Sequence, residues 1–385
     1  MSRLGILAVN VGSSSLRVDL WEIPGTSPRV VLRADGIGGQ HGTVSVGDRA
    51  EETTGLPNHT AALDVLLQRL EEPARLDCIG HRVVHGGPNY REPVWVDDRV
   101  LADLDELGKL VPLHVPPALQ VIRHVLRRLP SVPQAVVFDT AFHATLPARA
   151  FEYGLPAAWR ELGIRRYGFH GLACADAVAQ LGSGLRERAV LLHLGAGCSA
   201  TALLRGRSTD TTMGLTPLEG LVMATRSGDV DPAILLYLQR EQGLSVDEID
   251  HALNHQSGLL GLSGVSGDMK MLLGRADEAR VRLALDVFCY RAAKAVGAMA
   301  IALNGCHQLI FTGGIGEHAA PVRTEIVAHL AFLGARLDED ANSANAAIIS
   351  HPQSSVSIHV VRIDEGRQIA HDAARLRGSS HGANS

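Results

Sequence analysis

The segment N-V-G-S-S-S-L-R, Asn10 to Arg17, lies between two apolar runs and constrains this chain more than any other stretch. Leu4 to Val9 reads as a buried strand and Val18 to Ile23 as its return, so a glycine-serine turn presents hydroxyls and backbone N–H groups at the end of a hairpin. Such a turn can hold phosphate. The pattern returns in L-L-H-L-G-A-G-C-S-A-T-A-L-L, Leu191 to Leu204. A shift of 183 positions carries Val9 onto Leu192, Val11 onto Leu194, Gly12 onto Gly195 and Leu20 onto Leu203. A chain that writes one hairpin twice is expected to contain one fold unit twice, with a nucleotide cleft between two similar halves.

The 385 residues leave room for two domains of roughly 150 residues each. With 46% hydrophobic and 20% charged residues, both should bury sizeable cores. The formal net charge of −5, without a long basic run, argues against nucleic acid or an anionic membrane as the main partner. An anionic ligand would therefore be met by local cations. Five cysteines, an odd number without C-x-x-C spacing, point to reduced thiols in the cytoplasm, with neither disulfides nor zinc expected. The first strand begins without a leader of the signal-peptide type. Val281 to Asn304 is apolar, but Arg282, Asp286, Arg291 and Lys294 interrupt it, so it reads as a long buried helix rather than a membrane span.

Elsewhere strands alternate with helices, the pattern of a mostly parallel α/β sheet whose ligands gather at the carboxyl ends of strands. Cys78 to Val84 is a strand ended by His85-Gly86-Gly87-Pro88, which leaves Arg82 near its carboxyl end. Helices are expected over Val100 to Leu110 and Pro117 to Leu129, then a strand over Ala135 to Phe138 with Asp139 just beyond it. In the second half, Leu309 to Thr312 leads into the glycine turn G-G-I-G-E-H, Gly313 to His318, before a helix that begins near Pro321. Ser355 to Val361 is a strand, followed by Asp364, Glu365 and a helix to Leu376 that could return to the first domain. The domains are drawn as 1–148, joined by a C-terminal helix at 366–385, and 149–365.

None of the glycine turns matches a Rossmann fingerprint or a Walker A loop, and it is their number, each directly after an apolar strand, that favours a nucleotide. His81, His85, His114, His143, His170 and His193 lack metal-site spacing, and most read as structural. Arg82 stands in an apolar strand and Arg226 in a Thr-Arg-Ser-Gly turn, where a guanidinium calls for a structural carboxylate or a bound anion. Asp139, Asp231, Asp268 and Glu365 occupy turn-like places that suit either helix caps or Mg²⁺.

With these segments together, the chain resembles the acetate kinase family of short-chain acyl kinases, within the actin-like and sugar-kinase-like ATPase superfamily. The resemblance is carried by N-V-G-S-S-S-L-R at Asn10, G-H-R-V-V-H-G-G at Gly80, P-L-H-V-P-P at Pro112 and V-F-D-T-A-F-H-A-T-L-P at Val137. It continues in R-Y-G-F-H-G at Arg166, H-L-G-A-G at His193, M-G-L-T-P-L-E-G-L at Met213, D-P-A-I at Asp231 and G-G-I-G-E at Gly313. It implies an α/β fold of two duplicated RNase H-like domains with an interdomain active-site cleft, and a homodimer. The implied reaction is reversible transfer of the ATP γ-phosphoryl group to acetate by direct in-line displacement, giving acetyl phosphate and ADP. Propionate or butyrate as acceptor, or a catalytically weakened nucleotide-binding homologue, are the alternatives.

By the same resemblance Arg82 and Arg226 clamp acetate and the transferring phosphoryl group, His170 donates a hydrogen bond to it, and Asp139 orients Arg82 or the metal waters. Asn10 and Glu365 place Mg²⁺, or Mn²⁺ in its stead. Ser13, Ser15 and Arg17 face phosphate. His193, Leu194, Gly195, Ala196 and Gly197, then Asp268, Met269 and Lys270, then Gly314, Ile315, Gly316, Glu317 and His318 are assigned to ATP. Val84, Leu113, His114, Phe169 and Pro217, with Arg82, are assigned to the acyl substrate. The chain departs from the family pattern at Arg17 (lysine), Ala196 (asparagine), Gly171-Leu172-Ala173-Cys174 (G-T-S-H) and Lys270 (arginine). Further departures are His318 (asparagine) and Gly366 (a second glutamate). They fall mainly on the nucleotide side.

Overall fold

A computed structural model describes residues 3–382, apart from 40, 48, 50, 51, 71–74 and 113; side chains are described to residue 378. The chain divides into two compact units, residues 1–142 with 364–385 and residues 143–363.

Unit 1 is built on an eight-stranded sheet. Its strands are β1 (Leu4–Val11), β2 (Ser15–Ile23), β3 (Val30–Asp35), β4 (Gly42–Val46), β5 (Glu52–Thr54), β6 (Cys78–Val83), β7 (Val94–Trp95) and β8 (Gln134–Phe138), in the order β5-β4-β3-β2-β1-β6-β8-β7. β1 pairs antiparallel with β2 and parallel with β6, and β6 runs parallel to β8. Side chains alternate across a strand. Leu7, Val9 and Val11 of β1, Leu16, Val18 and Leu20 of β2, and Ile79 and Val83 of β6 therefore share one core with the helices His59–Gln68, Asp98–Gly108 and Val115–Arg128. The other face receives the C-terminal helix Glu365–Gly382. It lies so close that a Cβ on Gly80 would come within 2.8 Å of Ile369 Cγ2. Asn10, Arg17, Asp19 and Arg82 alternate onto that second face. An apolar sequence period thus delivers four polar side chains to one place.

Unit 2 has a five-stranded sheet of β9 (Arg188–Leu194), β10 (Cys198–Leu204), β11 (Arg207–Thr211), β12 (Gln308–Thr312) and β13 (Ser357–Val360), ordered β11-β10-β9-β12-β13. β9 to β11 form an antiparallel meander, and β12 runs parallel to both β9 and β13. This matches β3-β2-β1-β6-β8 of unit 1 strand for strand, so the hairpin repeat seen in the sequence is one part of a repeated five-strand topology. The apolar stretch expected as a long helix is Ala279–Leu303, with Val281, Leu285, Phe288, Ala292, Val296 and Leu303 buried. Among the described residues no helix is long and apolar enough to cross a membrane.

One expectation needs correction. Gly313 to His318 is a short helix rather than a glycine turn, despite three glycines of low helix propensity. Two contacts offset that cost: Glu317 Oε1 accepts the Gly313 N–H at 3.1 Å, and the fully buried Arg323 donates to Gly316 O at 2.9 Å.

Candidate active site

In unit 1 the strand ends bring Asn10, Arg82, Asp139 and Glu365 into one hydrogen-bonded cluster. Arg82 Nε stands 3.1 Å from Asp139 Oδ2 and 3.2 Å from Oδ1, its second nitrogen also reaches Asp139, and a third donates to Asn10 Oδ1 at 3.1 Å. Asn10 Nδ2 donates to Glu365 Oε2 at 2.7 Å, and that oxygen lies 3.8 Å from Arg82 Nε. Burial works against the Arg82 charge, but Asp139 and Glu365 more than offset it and raise its pKa. Of the two partners the sequence left open for this arginine, the structure supplies a carboxylate. The oxygen donors Asn10, Asp139 and Glu365 suit a hard cation such as Mg²⁺, which keeps most of its waters and takes one or two carboxylates with phosphate oxygens. Among the described residues no three His, Cys, Asp or Glu groups are clustered closely enough to hold a metal alone.

The Gly12–Ser15 turn closes through Gly12 N–H to Ser15 O at 2.9 Å and leaves Ser13 exposed. Arg17, expected to face phosphate, is instead engaged by Asp19 and Asp364, at 2.8 and 3.0 Å. Val84 is buried just beyond β6, and His114 precedes the helix Val115–Arg128. Leu113 lies outside the described residues.

In unit 2 the decisive group is Arg226. Its guanidinium donates to Pro217 O at 2.6 Å, has no carboxylate partner among the described residues, and has its pKa lowered by burial. A partly buried cation with no counter-charge among the described residues is a place for an anion. Gly197 shows what stands beside it. A Cβ there would come within 2.6 Å of Arg226 and 3.1 Å of His170 Nε2, so the β9–β10 turn is glycine where both groups face it.

His170 is held by several contacts. Its backbone is left-handed (φ 59°, ψ 26°), a conformation that costs a side-chain-bearing residue about 1 kcal/mol or more. Its Nδ1 meets Ser199 Oγ at 3.0 Å, and its ring stands 4.5 Å from that of His193, whose Nδ1 meets Thr312 Oγ1 at 3.1 Å. His143 supports the preceding peptide. It is fully buried, its Nε2 donates to Phe169 O at 2.9 Å, and its Nδ1 meets Ser208 Oγ at 2.8 Å. Phe169 O can only accept, so Nε2 carries the proton, and burial lowers the ring's pKa to about 4, which keeps it neutral. Reading the sequence left His143 among the structural histidines, because nothing in its spacing announces the Phe169 carbonyl.

Gly195, Ala196, Asp268, Met269, Lys270, Gly314, Ile315 and His318 line a cavity of about 680 Å³ with Ala224, Gly267, Leu273 and Ala319. These are most of the residues assigned to nucleotide. His193, Leu194, Gly197, Gly316 and Glu317 lie next to those lining residues in the chain.

The pattern described as the Acetokinase family matches residues 5–371. The chain belongs to that family. Acetate kinase of Bacillus cytotoxicus is 40% identical to this acetokinase-family chain, over 96% of the chain and 98% of the relative. Among solved structures, propionate kinase from Francisella tularensis superposes with a TM-score of 0.91 at 36% identity, covering 97% of this chain and all of that one. Acetate kinase from Porphyromonas gingivalis gives 0.88 at 34%, covering 97% and 99%. The acetokinase family thus accounts for both units and their order in the chain.

Proposed function

We propose that this protein is an acetate kinase, transferring the γ-phosphoryl group of ATP to acetate to give acetyl phosphate and ADP, and running in reverse. The observation that carries the reading is the half-buried Arg226, without a carboxylate partner among the described residues, beside His170 in the unit whose adjoining loops line the 680 Å³ cavity. Carboxylate and triphosphate repel, so in-line transfer needs fixed cations to neutralise both reactants and hold them. Arg82, already aligned by Asp139 and Asn10, meets the carboxylate. Arg226 meets the charge that spreads over the phosphoryl oxygens in the transition state. With the Ser199 hydroxyl donating to Nδ1, His170 offers Nε2–H to the same oxygens. Asn10 and Glu365 would hold Mg²⁺, which supplies further neutralisation of the phosphates. Val84 and His114 of unit 1 and Phe169 and Pro217 of unit 2 are the described residues that the family resemblance assigns to the acyl substrate, and an apolar site separates acids differing by one methylene by about 1–3 kcal/mol.

The test is a hydroxamate assay on the purified protein with ATP, Mg²⁺ and acetate, propionate or butyrate in turn. Acetate should give the highest kcat/KM, and inactivity with all three acids overturns the reading. The propionate kinase likeness keeps propionate as the nearest competitor, and the same assay decides between them. We further place the protein in the cytoplasm as a homodimer. The support is five free cysteines and the exposed apolar side chains Ile234, Leu236 and Tyr237 on the helix Pro232–Gln242. Light scattering after gel filtration tests the dimer.

A further inference from the structure

Asp19 is a fully buried carboxylate that the proposed reaction does not use. It stands two residues after Arg17 on β2, so both side chains emerge on the face that receives the C-terminal helix. Arg17 grips it with two nitrogens: Nε to Oδ1 at 2.9 Å and a terminal nitrogen to Oδ2 at 2.8 Å. The same terminal nitrogen lies 3.0 Å from Asp364 Oδ1, which accepts the Gly366 N–H at 3.0 Å. Between Asp364 and Gly366 sits Glu365. A relay of ion pairs and hydrogen bonds therefore runs from β2 to the residues on either side of Glu365.

The relay also decides what residue 366 can be. A Cβ on Gly366 would come 2.0 Å from Asp19 Oδ2 and 3.2 Å from Asp364 Oδ1. The Asp19 carboxylate thus occupies the space into which any side chain at 366 would project, at the one position where the resemblance leads one to expect a second glutamate.

We propose that Asp19 is a positioning residue for the metal end of unit 1, supplying from β2 the carboxylate that residue 366 does not supply. Through Arg17 and Asp364 it sets the first turn of the C-terminal helix and hence the place of Glu365. The inference rests on the reading of Glu365 as a metal-placing group. Gly366 and Asp19 are then one unit of sequence: a larger residue at 366 requires a smaller one at 19.

The experiment follows Mn²⁺ binding to the whole protein in the presence of ADP by electron paramagnetic resonance, alongside hydrogen exchange of the Gly366 amide. Asp19→Asn should weaken Mn²⁺ binding about tenfold, speed exchange at 366, and leave KM for acetate within twofold. Gly366→Glu alone should weaken Mn²⁺ binding at least as much, because two carboxylates then contest one space. The double variant Asp19→Ala with Gly366→Glu should bind Mn²⁺ more tightly than either single change. Glu365→Gln is the control. If it leaves Mn²⁺ affinity unchanged, the metal reading falls and this inference with it. If it weakens binding while Asp19→Asn does not, or if the double variant is no better than either single change, the inference alone is overturned.

Discussion

Arg82 and Arg226 sit in units of matching strand order, yet they are kept in opposite electrostatic states. The unit 1 arginine is held by Asn10, Asp139 and Glu365, and the two carboxylates raise its pKa, whereas the unit 2 arginine, among the described residues, donates to one backbone carbonyl and has a pKa lowered by burial. A saturated guanidinium is an aligned tool. One without a counter-ion gains most when negative charge arrives. The contrast teaches that a repeated fold need not repeat its chemistry: one copy orients, and the other waits for charge.

The largest test of that contrast is Arg226→Ala, expected to lower kcat by about 10³ to 10⁵ with KM for ATP within threefold. Equal losses in kcat and in ATP affinity would break the comparison. Next comes Asp139→Ala, which strands the Arg82 charge in a mostly buried place and should cost about 3–5 kcal/mol in urea unfolding. No such penalty is expected when Arg226, which has no ion partner among the described residues, is removed.

The third test sets one histidine of each unit side by side. Burial lowers the pKa of His81 and of His143 to about 4, below the value near 6.5 of an unfolded histidine. Since the unfolded chain binds the proton more readily, stability is fully present above about pH 6.5 and is lost as pH falls toward 4, by up to about 3 kcal/mol per group. Urea midpoints measured across that range should flatten in His81→Gln and in His143→Gln; an unaltered slope would count against the assignment.

Gly197→Ala is expected to cost less, about 1–3 kcal/mol of transition-state stabilisation, since a methyl would press on Arg226 and His170. Steady-state kinetics should show this as a fall in kcat/KM for acetate with the melting temperature little changed. The smallest effect belongs to Lys270→Ala, an exposed residue lining the 680 Å³ cavity proposed for ATP: a rise of about threefold in KM for ATP, with kcat retained.

Much of the fold was legible because buried strands announce themselves. Leu4 to Val9 and Val18 to Ile23 are apolar runs around a turn, and the structure extends them only to Val11 and back to Ser15. Arg82 was conspicuous for the same reason, as a charge inside an apolar strand. Other features were invisible because they depend on distant partners. That Arg82 meets a carboxylate while Arg226 meets none among the described residues follows from tertiary position, since both look alike as isolated arginines. The helix at Gly313 to His318 defies local propensity and exists through Glu317 and Arg323. Asp19 reads as an ordinary polar strand residue until the C-terminal helix is laid over it.

That helix has a consequence for biosynthesis. Ile369, Ala370 and Ala373 are fully buried, and the helix belongs to the unit that opens the chain. A ribosome that has made the first 142 residues has therefore not yet made the piece that seals their sheet. The middle of the polypeptide can finish folding while its beginning still waits, with an open sheet face that nascent-chain chaperones would be placed to cover. Kinase activity should appear only after the helix Glu365–Gly382 has emerged.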